Sequence, residues 1–229
     1  MRSAVHFIPI ITTVVALAFA MAVFHRWRAR GGAHLLCWAI GLLTYAAGTI
    51  TESATTLFGW SEPVFRLWYI TGALMGGAPL AQGSVYLHLR RRTANRLSIA
   101  LVAAIAFGAV AVLLTPINYA LVEPFRPTGK VIVWHWVRMI SPFINLYAVI
   151  FLVGGAIVSA VRFRRNEGTY LRFLGNVCIA IGAILPGIGG AFTRFGYTEV
   201  LYVTELLGLL LIYAGYRLNI DWRVIPSAS

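Results

Sequence analysis

Residues 3–30 read SAVHFIPIITTVVALAFAMAVFHRWRAR: no Lys, Arg, Asp or Glu from Ser3 to His25, then Arg26, Arg28 and Arg30 in quick succession. A helix needs about 20 mainly apolar residues to cross a bilayer, so the run is long enough. The arginines that close it read as a cytoplasmic stop. Met1-Arg2-Ser3 ahead of an apolar run also resembles the start of a secretion signal. A small-residue cleavage site followed by a polar mature segment is missing, however, so the run reads as a retained first helix.

The same pattern recurs along the chain. Charge-free stretches cover 31–51, 67–89, 97–122, 139–161 and 173–193, and 200–216 is interrupted only by Glu205. They predict helices near 4–24, 34–57, 63–88, 97–115, 133–161, 171–193 and 198–217. The expectation is an all-α polytopic membrane protein, one seven-helix transmembrane domain over 1–229. Composition agrees, with 59% hydrophobic and 11% charged residues and a mean hydropathy of +0.79 over 229 residues, where a soluble domain carries about 25% charged residues.

Orientation follows from the Lys and Arg of the connections. Arg26, Arg28, Arg30, Arg90, Arg91, Arg92, Arg96, Arg162, Arg164, Arg165, Arg172, Arg217 and Arg223 fall on one side. Arg2, Arg126, Lys130 and Arg194 fall on the other. Thirteen against four, alternating loop by loop, puts the N-terminus outside and the C-terminus in the cytoplasm. The net charge of +12 therefore points to anionic lipid headgroups at the cytoplasmic face and not to nucleic acid. The location implied is a bacterial cytoplasmic membrane.

Several chemistries find no residues here. The only lysine is Lys130, in an outer connection, so no intramembrane Schiff base can form. The only aspartate is Asp221, so no clustered aspartates can hold a magnesium diphosphate. Phosphate-loop, His-Glu-x-x-His and Gly-x-Ser-x-Gly patterns are absent. An enzyme is not expected. Cys37 and Cys178 read as small buried residues, since two cysteines make no disulfide framework.

Ionisable residues inside a membrane are costly, which makes them candidates for function. Glu52 lies near the outer end of span 2, Arg66 in the first turns of span 3, and His135 with Arg138 early in span 5. Span 7 carries Glu199 at its mouth and Glu205 two turns deeper, about 10 Å below the interface at 1.5 Å per residue. An outward-facing pocket is expected, with Glu52 paired to Arg66 and Glu205 to Arg138. Tyr69, Gln82, Asn145 and Thr204 extend it, and the inner half reads as apolar. His6 with His135, and His34 with His88, share levels that would suit haem ligation. All four sit near helix ends, where interfacial histidines account for them, so no cofactor or metal is expected.

Small residues set expectations for packing. Gly72 with Gly76, Ala73 with Gly77, and Gly154 with Gly155 suit close helix approach. Pro79, Pro142 and Pro186 predict kinks, with Pro186-Gly187-Ile188-Gly189-Gly190 the strongest breaker, where a plain kink is favoured over partial unwinding. The outer connection Glu123-Pro124-Phe125-Arg126-Pro127-Thr128-Gly129-Lys130 reads as a turn. Short β-like runs flank it, Tyr119 to Val122 and Val131 to Trp134, predicting a hairpin that covers the bundle as a lid or a spacer.

Cys37-Trp38-Ala39-Ile40-Gly41 matches Cys178-Ile179-Ala180-Ile181-Gly182 at an offset of 141 residues, as does Gly48 with Gly189. Phe58-Gly59-Trp60 and Phe195-Gly196-Tyr197 then end both helices. This suggests two three-helix units joined by span 4, a layout similar to that of SWEET-type transporters. Spans 3 and 7 depart from that family in lacking a midplane asparagine.

Trp60-Ser61-Glu62-Pro63-Val64-Phe65-Arg66-Leu67-Trp68-Tyr69-Ile70-Thr71-Gly72-Ala73, followed by Pro79-Leu80-Ala81-Gln82-Gly83-Ser84-Val85-Tyr86-Leu87, resembles small bacterial seven-helix proteins. It is also similar to the seven-helix sensor module at the N-terminus of some histidine kinases. The resemblance covers spans 2 and 3 and brings no assigned ligand or site residues. It implies a sensor or accessory module. About a dozen residues follow span 7, so a signal is expected to pass to a separate partner. The sequence thus favours a sensor with an outer polar pocket. A small-solute transporter comes second and a haem-binding subunit third.

Overall fold

A computed structural model describes residues 4–164, 169–193, 195 and 197–221. Arg2, Arg165, Arg194, Gly196 and Arg223, all used above, lie outside the described residues. The described chain is helical: α1 (Ile8–Arg30), α2 (Ala33–Phe58), α3 (Glu62–Trp68), α4 (Ala78–His88), α5 (Arg91–Leu114), α6 (His135–Ala148), α7 (Gly154–Arg164), α8 (Tyr170–Thr193) and α9 (Thr198–Asp221). Wider π turns, Tyr69–Met75 and Val149–Val153, follow α3 and α6.

Six of these stretches are long and apolar enough to cross a membrane: Val5–Arg30, Ala33–Phe58, Arg91–Leu114, His135–Arg164, Tyr170–Thr193 and Glu199–Ile220. At most 39% of the apolar window in any of them is buried within the protein. The remaining apolar side chains form an exterior that suits lipid, and the chain is a multi-pass helical membrane protein. Two compact units divide it, 1–148 and 149–229.

The segment 63–88, expected as one helix, is interrupted. Gly76 adopts φ +44° and ψ −126°, a conformation that any residue with a Cβ finds strained. Pro79 accounts for the interruption. It has no N–H to give the Met75 carbonyl, so a continuous helix would lack that bond. As one of the first residues of α4 it costs nothing, because the N–H groups there are unbonded anyway. The break lies close to the middle of the segment. This interruption is why 63–88 does not stand among the long apolar helices.

In the first unit α2 packs antiparallel on this broken segment. A Cβ added to Gly48 would stand 3.2 Å from the Cα of Gly72, and one on Gly41 would stand 2.7 Å from Leu80. Gly72 thus serves close approach as expected, whereas Gly76 serves the break.

In the second unit α8 and α9 pack antiparallel through glycines spaced by seven. Gly175 meets Gly215, Gly182 meets Gly208, and Gly189 meets Leu201 and Thr204. Asn176 donates to Asn219 at 3.1 Å beside the first of these contacts. Partial unwinding, the lesser of the two expectations at Pro186, does not occur, and α8 runs unbroken through it. Pro186 deprives the Gly182 carbonyl of its helical donor. That oxygen lies against Gly208, where a Cα–H···O contact replaces part of the bond. The proline ring also packs on Gly208, so the partner helix accommodates it. Gly154 faces open space and makes no close packing.

The connection 115–134 contains no described strand, and the expected hairpin is reduced to isolated bridges, Ile117 to Ile132 and Glu123 to Arg126. Two 3-10 turns, Tyr119–Leu121 and Gly129–Val131, take the place of the β-like runs. The Asn118 and Thr128 side chains start them by accepting from the N–H groups two residues on. The segment is nonetheless tied across itself, by Asn118 N–H to Val131 O at 2.8 Å and Val133 N–H to Pro116 O at 3.2 Å. Val131 and Ile132 are buried with Phe65, Tyr69, Val112 and Val137.

Candidate functional site

The first unit concentrates polar groups around α2 and the broken segment. The run Thr49-Ile50-Thr51-Glu52-Ser53-Ala54-Thr55-Thr56 contains six polar residues, all buried. Most of the hydroxyls bond within α2, as Thr and Ser in membrane helices do. Thr51 donates to Ala47 O and Gly48 O, Ser53 to Thr49 O, and Thr55 to Thr51 O. Thr49 donates to Ala46 O and accepts from Thr13 of α1 at 2.8 Å.

Glu52 is 3% exposed and accepts from the indole Nε1 of Trp68 at 2.9 Å. The expected Glu52–Arg66 pair does not form. Arg66 instead holds Glu62, one turn before it, at 2.7 Å. Its guanidinium also donates to the carbonyls of Val112 and Thr115 at the end of α5. A helix end leaves its last carbonyls without donors and carries negative partial charge, so a cation there serves packing. Arg66→Met is expected to destabilise the first unit by about 2 kcal/mol, a typical loss for bonds to a charged donor. Unfolding by SDS in mixed micelles measures it.

Glu62 also accepts from Tyr119 of the covering segment. Those two hydrogen bonds, from Tyr119 first and Arg66 second, hold the Glu62 carboxyl below its ordinary range. The same bond raises the Tyr119 phenol. The signs give a window. The Glu62 contribution is complete above the ordinary carboxylate pKa and is lost as pH falls through the depressed one. The Tyr119 contribution is complete below the ordinary phenol pKa and is lost as pH rises through the raised one. The cover should stay latched at neutral pH and loosen in acid. Tyr119→Phe removes the latch itself, so hydrogen exchange in 115–134, corrected for its intrinsic rate, should already be faster at neutral pH in that variant and lose its acceleration in acid.

The cover makes further contacts. Trp60 N–H donates to Pro124 O at 2.7 Å, and Tyr69 packs on Gly129. Trp60 stacks edge-on with Tyr119 at 6.0 Å. Two buried polar atoms beneath this end, Thr56 Oγ1 and Trp60 Nε1, have no hydrogen-bond partner among the described residues.

At the break, the Ala73 carbonyl accepts from Ser141 Oγ at 2.6 Å and from Asn145 Nδ2 at 3.1 Å. Asn145 therefore closes the interruption, and its Oδ1 fills the place a Cβ on Gly76 would need. Below the break, the side of the unit expected to be apolar holds Gln82, 3% exposed. Gln82 donates to Ala94 O at 3.0 Å and accepts from Tyr147, joining α4, α5 and α6.

Of the remaining expected site residues, Arg138 is half-buried in the first unit, while Thr204 and Glu205 belong to the second, where Thr204 donates to Val200 O and Leu201 O. His6 lies in a short 3-10 turn before α1. His34 meets Trp38 edge-on at 5.5 Å, and His88 Nδ1 lies 2.8 Å from Ser84 O. His135 is exposed between Trp134 and Trp136, which stack at 5.8 Å, an arrangement suited to a membrane interface. No group of three or more His, Cys, Asp or Glu gathers among the described residues. Cys37 and Cys178 are free thiols.

Sequence reasoning passed over Trp68, Glu62, Tyr119, Ser141, Tyr147 and the hydroxyls around Glu52. The dense Thr/Ser run in an otherwise apolar helix was the available signal for the last group. No protein-family model matches the chain, and neither a curated protein nor a solved structure does.

Proposed function

We propose that this chain is a seven-span receptor-like module of a bacterial cytoplasmic membrane, with its N-terminus outside and its C-terminus in the cytoplasm. On this reading 63–88 is the remaining span, crossing as two half-helices. Irregular backbone at membrane depth is tolerated where protein buries it or a polar cavity lines it, and Ser141 and Asn145 supply that burial. The alternation of basic connections supports the orientation.

The observation that carries the functional reading is the division of labour across Gly76. Above it, Trp68 and Tyr69 touch Glu52 and the cover. Below it, Gln82 holds the start of α5 beside the cytoplasmic arginines. A small ligand taken up around Glu52 would reposition the outer half-helix. The hinge would pass that change inward to a separate signalling partner, with anionic headgroups holding the arginine-rich turns.

The second reading, a small-solute transporter, is favoured by one observation. Polar groups continue below the break as Gln82 and Tyr147, and discontinuous helices commonly line transporter sites. Native mass spectrometry of protein purified in mild detergent tests the first reading. A retained small molecule that is lost in Glu52→Gln is expected, and its retention in that variant would remove Glu52 from the site. Flux of the same compound, isotopically labelled, into proteoliposomes would replace the receptor by the transporter. An absorption spectrum of the same sample checks haem, since a Soret band would make His6, His34, His88 and His135 the candidates.

A further inference from the structure

We infer that the groove between α3 and the end of α5 seats one phospholipid, with an acyl chain along Leu67, Ile70 and Leu113 and a zwitterionic aminophosphate head on Glu62 and Arg66. The groove has a volume of about 410 Å³ and is lined by Glu62, Pro63, Arg66, Leu67, Ile70 and Leu113. Glu62, Arg66 and Ile70, with Pro63 and Leu67 beside them, recur at the spacing of one helix face. Leu67 and Leu113 are each at least half-exposed, so the groove opens on the exterior of the unit.

Its direction follows from contacts with α5. Arg66 donates to the Val112 and Thr115 carbonyls, while a Cβ on Gly108 would stand 2.9 Å from Leu74. The chain from Arg66 to Leu74 therefore runs back along α5, which is long and apolar enough to cross a membrane. Glu62 belongs to the level of the α5 end remote from Arg91, Arg92 and Arg96. Ile70 lies about 12 Å farther in, at 1.5 Å per residue. One end of the groove is thus polar and interfacial, and the other is apolar and deeper, which is the polarity of a phospholipid.

In a bilayer an apolar groove gains little from a chain, because lipid tails are as apolar as leucine. The polar end must do the selecting. Arg66 has five N–H groups. Nε and one N–H of Nη2 bond Glu62, the other of Nη2 bonds Thr115 O, and one of Nη1 bonds Val112 O. One N–H of Nη1 is left. Glu62 Oε1 accepts twice from Arg66, and Oε2 accepts only from Tyr119, so Oε2 can take one more donor. The two charges cancel, and a head of zero net charge matches them: its ammonium on Glu62 and its phosphate on Arg66. A glycerol head would bring the phosphate charge without the ammonium, and Glu62 would repel it. The site requires a membrane protein and does not depend on the receptor reading.

Photocrosslinking of the full chain in phosphatidylglycerol nanodiscs tests it, with a trace of phosphatidylethanolamine carrying a diazirine midway along one acyl chain. Adducts should concentrate on Leu67, Ile70 and Leu113. Unlabelled phosphatidylethanolamine should displace them at a concentration about tenfold below that of added phosphatidylglycerol with the same chains. Glu62→Gln should erase that preference. Leu67→Trp, which fills the groove from a half-exposed position, should remove these adducts and leave those on other helices. Adducts no denser here than on other lipid-facing helices would overturn the assignment. So would equal displacement by the two lipids, or a preference unchanged in Glu62→Gln. Leu67→Trp leaves the ion pair and the Tyr119 bond in place, so its result stands even where Glu62→Gln disturbs the fold.

Discussion

Gly215→Leu is expected to break apart the second unit. A Cβ at Gly215 would stand 2.3 Å from the Gly175 carbonyl oxygen, which is backbone and cannot rotate away, and 2.7 Å from Ile179. The two helices would have to separate along their length. The matching contacts at Gly182 with Gly208, and at Gly189 with Leu201, would loosen as well. In lipid no hydrophobic effect holds helices together, so close packing and interhelical hydrogen bonds must do so. Separation would also strain the Asn176–Asn219 bond. The expected loss is about 3 kcal/mol or more, at the upper end of what overpacking does, read as a lower SDS fraction at the unfolding midpoint. Gly187 provides the control. Nothing lies within 4 Å of a Cβ there, so Gly187→Ala should leave the midpoint unchanged or raise it slightly. Equal effects at the two positions would mean that α8 and α9 do not pack through this stripe.

Gly76→Ala should have the next largest effect, and it should be coupled to Asn145. Two causes add. The backbone at φ +44° and ψ −126° costs an L-residue about 1–3 kcal/mol. The new methyl would also stand 2.5 Å from Asn145 Oδ1. Asn145→Ala alone should cost about 1 kcal/mol, because Ala73 O keeps the Ser141 bond and loses the amide. The double variant relieves the clash, so the two losses should sum to more than the loss measured for the pair. A double-mutant cycle in SDS unfolding reads this coupling directly. Additive losses would place Asn145 away from the break.

The apolar spans were legible because membrane crossing imposes one requirement, length without charge, that a sequence displays openly. The location of the break was not legible. Gly72, Gly76 and Gly77 present the same side chain, and Pro79 fixes only where helix can resume. What singles out Gly76 is Asn145, which is 69 positions later in the chain. At Pro186 the complementary information lies on another helix: α8 stays continuous there, and the proline ring packs on Gly208. At the candidate site, the burial of Glu52 could be read from its place in span 2, whereas its partner could not. Charge pairing pointed to Arg66, but the end of α5 claims that guanidinium, and an indole serves the carboxylate instead. The covering segment was foreseen as a cover, and its secondary structure was not. Asn118 and Thr128 turn the chain locally before strands can extend.

The proposed function rests on 63–88 crossing the membrane as two half-helices. Single cysteines placed at Ser61 and at Thr93, both exposed, test this in a background with Cys37 and Cys178 replaced by alanine. Intact cells are treated with a membrane-impermeant maleimide. Ser61→Cys should label from outside, and Thr93→Cys should label only after the cells are permeabilised. Labelling of both from the same side would contradict the account, since the segment would then lie on the bundle without crossing it.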